Sequence, residues 1–131
     1  MATVRFGVSL DKEILSSLDN YVTTNSFPNR SQAIRHLISE NIVQEKWDKN
    51  HVVAGTIMIV YDHHKRNLLK TLNDIQHDHH DIILSSLHFH IDHHNCMEII
   101  ALKGKAFQLR ELADKVISTK GIAHGALTMT K

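Results

Sequence analysis

The change of hydrophobic pattern near residue 51 constrains the fold of this 131-residue chain more than any other feature. From Val52 to Thr130, runs rich in β-branched residues alternate with apolar residues at helical spacing. The order β-α-β-β-α-β over about 80 residues is typical of a ferredoxin-like domain, so we predict an α+β fold with that domain over residues 52–131. The expected strands are Val52–Tyr61, Ile82–Ile91, Cys96–Leu102 and Ile122–Thr130, and the expected helices are His63–Ile75 and Ala106–Thr119.

The first 48 residues form a separate, smaller pattern. Thr3–Leu10 alternates apolar residues with small or polar ones, which predicts a short strand with one buried face. Two amphipathic helical patterns follow, with Asp11 and Ser31 as the expected N-caps. One strand and two helices of about 45 residues bury too little surface to fold alone, so we expect this unit to dimerise.

Composition narrows the class of protein. The formal net charge of +1 argues against a protein that holds nucleic acid by charge alone. The single cysteine, Cys96, excludes an intramolecular disulfide and favours a reducing cytoplasm. No apolar run approaches the roughly 18 residues of a membrane span, and Met1–Leu10 lacks the features of a signal peptide. We therefore expect a cytoplasmic protein without a membrane partner.

Histidine is unusually abundant, with 12 residues, and its placement around one predicted hairpin indicates a metal site. Residues two apart on a strand point to the same face, so His88 and His90 lie together, and Cys96 returns on the paired strand. Two imidazoles and a thiolate suit Ni, Cu, Zn or Co and do not suit Mg or Ca. Three ligands leave the site open, and the segment Gln76–Asp81 is the expected source of a fourth.

The remaining histidines show no comparable spacing. His63 and His64 begin a predicted helix, where capping or simple exposure is the expected role. The other histidines without a partner pattern are treated as non-ligands; they are His36, His51, His93, His94 and His124.

The N-terminal strand offers a way to read DNA. In a dimer, two antiparallel copies would form a ribbon with Arg5, Gly7 and Ser9 on its outer face. The major groove, about 12 Å wide, admits such a ribbon, and arginine pairs well with guanine. The amides at Ser31–Ala33, helped by Arg30, could hold a backbone phosphate. The alternative is an ordinary solvated strand at the edge of a small dimer.

Taken together, the chain resembles the NikR-type nickel-responsive transcriptional regulators along nearly its whole length. The resemblance implies a ribbon-helix-helix domain over residues 1–48 and a ferredoxin-like, ACT-type domain over 52–131. The matching segments are Arg5–Asp11, Asn29–Arg35, Ile75–His77, Leu87–Ile91, Asn95–Glu98 and Ala101–Gly104.

The resemblance also implies a ligand set and an assembly. One Ni(II) per subunit would be held by His88, His90 and Cys96 of one chain and by His77 of a neighbouring subunit across a homotetramer interface. The protein would be a repressor of double-stranded operator DNA, a dimer of dimers, with the base-reading positions at Arg5, Gly7 and Ser9.

Three positions depart from relatives within the family. Gly7 stands where some relatives carry a polar base-reading residue. Gln32 and His36 stand where some relatives carry acidic ligands to an interdomain cation, so we do not expect that cation site here.

Two alternatives stay open at the level of sequence. A sensor of copper, cobalt or zinc would use the same ligands, because copper binds such sites more tightly than nickel. A small metal-dependent hydrolase would need an open coordination position and a general base. Glu98 is the one nearby carboxylate considered for that base, and this alternative leaves the N-terminal unit unexplained.

Overall fold

A computed structural model describes residues 2–131, which divide into two compact units, one ending at Asn41 and one running from Ile42 to Lys131. None of the helices in this described range is long and apolar enough to cross a membrane. The helices are α1 (Lys12–Thr24), α2 (Arg30–Asp48), α3 (Leu68–Asp78) and α4 (Ala106–Ile117), with a short 3-10 turn at His80–Ile82, and the strands are β1 (Val52–Asp62), β2 (Ile83–His90), β3 (Asn95–Lys105) and β4 (Ile122–Thr130).

The two N-terminal helices begin at polar caps. Asp11 caps α1 as predicted, because its Oδ1 accepts a hydrogen bond from the Ile14 amide at 2.9 Å. At the start of α2, Asn29 rather than Ser31 has this role, since its Oδ1 accepts from the Gln32 amide at 2.9 Å. The prediction of Ser31 as the cap is therefore wrong, because α2 already begins at Arg30 and Ser31 lies within its first turn.

The predicted strand at Thr3–Leu10 is not formed, and residues 2–41 contain no strand in the single chain. The alternation of side chains marks one apolar face, but a strand also needs a second strand to pair its backbone groups. Phe6 is 76% exposed and Val8 61%, so the apolar face has no cover within the chain.

The second unit is a four-stranded antiparallel sheet in the order β2-β3-β1-β4, with helices packed on one face. This arrangement confirms the α+β class and the predicted order of strands and helices. Aliphatic side chains fill the space between sheet and helices; the fully buried ones include Ile57, Ile59, Ile100, Leu102, Leu109, Leu112 and Val116. β2 lies at the edge of the sheet and carries His88 and His90.

Helix α3 begins five residues later than predicted. The helix begins at Leu68 rather than at His63, and the intervening residues form turns. Asp62 ends β1 by accepting a hydrogen bond from the His64 amide at 2.9 Å, and Asn67 adopts a φ of 66°. A left-handed residue cannot continue a helix, so the helical periodicity starts only after it.

The last turn of α2 belongs to the core of the second unit. The Trp47 indole is buried, and its Nε1 donates a hydrogen bond to the Thr130 carbonyl at 2.8 Å. Gly55 makes room for the ring: a Cβ there would lie 3.3 Å from the indole and 2.8 Å from the Thr128 carbonyl oxygen. The Arg110 guanidinium lies over the ring at 5.6 Å from its centroid, a distance that permits a cation–π interaction.

Candidate metal centre and nucleic-acid interface

The β2–β3 hairpin places two imidazoles and the thiol on one face of the sheet. His88 is paired with Glu98 and His90 with Cys96, and directly paired residues share a face. Both histidines are exposed on the edge strand, whereas Cys96 is only 4% exposed and Glu98 2%. Their nitrogen and sulfur donors fit a late first-row divalent ion such as nickel, which this donor set favours over magnesium or calcium.

A buried carboxylate lies behind these donors. The Tyr61 hydroxyl donates to Glu98 Oε1 at 3.0 Å, and the Gln76 amide donates to Oε2 at 2.7 Å. His88 Nδ1 lies 3.7 Å from the same Oε1 and 3.4 Å from the Tyr61 oxygen. With Nδ1 facing this pair, Nε2 is the nitrogen that His88 can offer to a metal, and a carboxylate in this position orients a ligating imidazole.

Sequence reasoning considered Glu98 only as a general base and missed this positioning role. A signal was present, because Cys96, Glu98 and Ile100 occupy alternate positions of a strand that is otherwise apolar on that face. A charged residue on a buried face is stable only when it is hydrogen-bonded or paired. The pattern could therefore have predicted that Glu98 is anchored by donors from neighbouring elements.

Tyr61 is a neutral donor in this network. Burial, reinforced by the negative charge of Glu98, raises the pKa of the Tyr61 hydroxyl far above its usual range. The hydroxyl therefore keeps its proton at neutral pH and continues to donate to Glu98.

His77 lies apart from this group of donors. It is exposed in the last turn of α3, and its ring centroid is 6.0 Å from that of His80. Within the described part of the chain, neither His77 nor the hairpin donors belong to a group of three ligand atoms within 4.8 Å of one another. The four-ligand set therefore stays a prediction that involves a second chain.

The structure brings together a different group, which was not foreseen. Asp62, His64 and His94 each offer a ligand atom, and these atoms all lie within 4.8 Å of one another. The sequence predicts no ligand role for His94 and an exposed or capping role for His64; the two residues are 30 positions apart and share no periodicity. The turn between β2 and β3 brings them together at the end of β1.

The predicted DNA-reading residues are accessible. Arg5, Gly7 and Ser9 are all exposed, and a Cβ at Gly7 would meet nothing within 4 Å. Their side of the N-terminal segment is therefore free to face a large partner.

The predicted phosphate contacts are more restricted than expected. The Arg30 guanidinium donates two hydrogen bonds to Asp19, at 2.8 and 2.9 Å, and the hydrogen bond from Arg30 lowers the pKa of the Asp19 carboxyl. The amides of Gln32 and Ala33 donate to Asn29, so neither is free for a phosphate. Of the three amides predicted to hold a phosphate, two are therefore already hydrogen-bonded, which leaves the Ser31 amide.

The second unit matches a known family over most of its length. Residues 54–130 match the NikR C-terminal nickel-binding domain. The chain belongs to the NikR family. Relatives of nearly full length carry the name "Putative nickel-responsive regulator". The protein of Nitratidesulfovibrio vulgaris strain Miyazaki F is 50% identical over 129 residues, covering 98% of this chain and 93% of that one. The Geobacter sulfurreducens protein is 45% identical, with the same coverage of both chains.

These names class the NikR family among regulators rather than enzymes, so the hydrolase alternative is excluded. A solved structure, that of uncharacterized protein TM1266 from Thermotoga maritima, has a similar fold with a TM-score of 0.56. It is 15% identical and covers 62% of this chain and 100% of its own, so the likeness concerns the fold alone.

Proposed function

We propose that this NikR-family chain is a nickel-dependent repressor that binds operator DNA when Ni(II) occupies one site per subunit. The observation that carries the proposal is the placement of His88, His90 and Cys96 on one sheet face, with the buried Glu98 carboxylate behind His88. The relatives named as nickel-responsive regulators support the choice of metal.

A homotetramer would complete the metal site. The hairpin donors lie on and beside an edge strand, whose outer side is open to a neighbouring subunit. His77, exposed at the end of α3, would supply the fourth ligand to the site of that neighbour. Three imidazoles and a thiolate suit Ni(II), which would then cross-link the ACT-type domains (52–131) of two subunits.

A ribbon-helix-helix dimer would form the DNA-binding half over residues 1–48. An apolar groove of about 450 Å³ runs along the first unit, lined by Phe6, Val8, Leu10, Ile14 and Leu37 among others. The corresponding segment of a second copy has the apolar face needed to fill it, and the two segments would pair as a ribbon.

That pairing would direct Arg5, Gly7 and Ser9 to the bases of the major groove. Arg30 would have to exchange its Asp19 partner for a phosphate, while the Ser31 amide contacts the same backbone. Nickel and DNA would strengthen each other's binding by the same factor, because the two equilibria are linked.

The test is the binding of the parent, Cys96→Ala and Arg5→Ala to a candidate nickel-uptake promoter at fixed salt. The parent should bind specifically with Ni(II) and not without it. Cys96→Ala should lose the nickel response together with the thiolate charge-transfer absorption, whereas Arg5→Ala should keep that absorption and lose specific DNA binding. A parent that responds to Cu(II), Co(II) or Zn(II) but not to Ni(II) would identify a different metal.

The Arg5→Ala variant tests DNA binding separately from nickel binding. One lost bidentate contact costs roughly 1–3 kcal/mol, and a tetramer would lose four. If Arg5→Ala binds the promoter as tightly as the parent does, the N-terminal segment is not the part that reads DNA.

A further inference from the structure

Two turns meet at the end of the sheet where β1 ends and β3 begins, one register step from the Tyr61–Cys96 pair. The first follows β1 and contains Asp62 and His64, and the second joins β2 to β3 and contains His94. The register of the sheet brings them together, because Asp62 is paired with Asn95, the residue that follows His94. The meeting of these side chains is thus a consequence of strand pairing.

Hydrogen bonds hold both turns in place. Asp62 Oδ1 accepts from the His64 amide at 2.9 Å and lies 3.2 Å from His64 Nδ1. In the second turn, Asp92 Oδ1 accepts from the amides of His94 and Asn95 at 2.9 and 2.8 Å. The two histidines are therefore carried by ordered backbone, and their ring centroids are 6.1 Å apart.

The distances between the donor atoms are close to those of a coordination sphere. One carboxylate oxygen and two imidazole nitrogens lie within 4.8 Å of one another. Metal–nitrogen bonds of about 2.0–2.1 Å keep two ligands of one ion no more than about 4.2 Å apart, so side-chain shifts below roughly 1 Å would close the site. Because the three residues are half-buried or exposed, water can complete the coordination.

We propose that Asp62, His64 and His94 form a second divalent metal site, separate from the one at Cys96. Two imidazoles and a carboxylate select a late first-row ion such as Zn(II) or Ni(II) over Mg(II) and Ca(II), which favour all-oxygen coordination. The bound ion cross-links the end of β1 to the β2–β3 turn. It shares no ligand with the set proposed for nickel, and His63 lies between the two groups, its ring centroid 4.0 Å from that of His64 and 5.1 Å from that of His90.

The experiment counts zinc ions retained by the full chain after equilibrium dialysis against Zn(II). Parent protein is compared with His94→Gln and Asp62→Asn, which remove one ligand each from different turns. His93→Gln is the matched control, since it changes the adjacent histidine of the same turn. We expect His94→Gln and Asp62→Asn to retain one equivalent less than the parent and His93→Gln to retain the parental number.

A fourth variant separates this site from the other. Cys96→Ala should still retain the equivalent that His94→Gln loses, and zinc should raise the melting temperature of Cys96→Ala but not of Cys96→Ala combined with His94→Gln. Equal zinc counts in parent, His94→Gln and Asp62→Asn would overturn the proposal. So would equal losses in His93→Gln and His94→Gln, which would indicate unspecific binding to a histidine-rich surface.

Discussion

The two units of the chain differ in how far they bury their apolar residues within one molecule. The second unit closes its own core, with the aliphatic faces of β1 and β3 packed under α4. In the first unit, Ala33 is the one fully buried apolar residue within the described range 2–41, and no residue of α1 is fully buried. Both sequences carry clear apolar periodicity, so periodicity alone tells which face is buried but not which molecule buries it.

This contrast has an energetic meaning. Burial of apolar surface contributes about 25 cal/mol per Å², and the second unit gains far more of it within one chain than the first does. The first unit would obtain the rest from a second copy in the proposed dimer, so its stability should depend on protein concentration.

Val8→Asp should have the largest effect. A charge on the apolar side of the N-terminal segment would be buried in the proposed dimer without a partner, and we expect dimerisation and specific DNA binding to be lost. Sedimentation and DNA binding measure this loss, with the exposed Asn20→Asp as the charge-matched control. A Val8→Asp protein that still dimerises through this segment would contradict the proposed pairing.

Leu112→Ala should destabilise the second unit alone. The side chain is fully buried in α4, and truncation of such a leucine costs about 2–5 kcal/mol. Urea unfolding followed by Trp47 fluorescence gives the loss of unfolding free energy for this unit. A loss below about 1 kcal/mol would show that the core around α4 collapses readily onto the space left.

Glu98→Gln should weaken nickel binding while the fold persists. The amide is of the same size but places an N–H group where Tyr61 or Gln76 donates, and it removes the charge beside His88. Loss of such an outer carboxylate lowers metal affinity roughly 10–100-fold. A competition titration with a chromogenic chelator measures it, and the exposed Glu111→Gln should leave the affinity unchanged. Equal nickel affinities in Glu98→Gln and the parent would refute the positioning role.

Asp19→Asn should have the smallest effect and only above acidic pH. Arg30 lowers the pKa of Asp19 in the folded chain, so the ion pair stabilises the first unit above the unfolded-state pKa. The contribution is lost as the pH falls through the lowered pKa. Parent and variant should therefore differ slightly in melting temperature at neutral pH and converge in acid. A difference that grows in acid would have the wrong sign for this pair.

Much of the second unit was predictable from sequence because its interactions are local or periodic. Strand-like runs predicted β1 and β4 to within one residue at each end, whereas β3 continues three residues past its predicted end at Leu102. Helical spacing predicted α4 from its first residue. The start of α3 was wrong because the Asx turn at Asp62 and the left-handed Asn67 interrupt a pattern that looks continuous in apolar residues. Local backbone geometry of this kind leaves no periodic signal.

The site was predictable in part for the same reason. His88, His90 and Cys96 share a face because strand period and hairpin register fix them. The Asp62, His64 and His94 group depends on which turn reaches the end of β1, which spacing does not encode. The prediction of a strand at Thr3–Leu10 was wrong for a third reason, because the partner strand is expected in another molecule.

The burial of Trp47 gives the chain a built-in optical reporter of one unit only. Trp47 is the one tryptophan in the sequence, and its environment is set by Gly55, Arg110 and the Thr130 carbonyl, all within the second unit. Its emission should shift when β4 leaves the sheet and should stay silent while α1 melts. Far-ultraviolet circular dichroism records the helices of both units. Superimposed melting curves from the two probes would mean that the units unfold together. A dichroism transition at lower temperature than the fluorescence transition would mean that the first unit unfolds before the second.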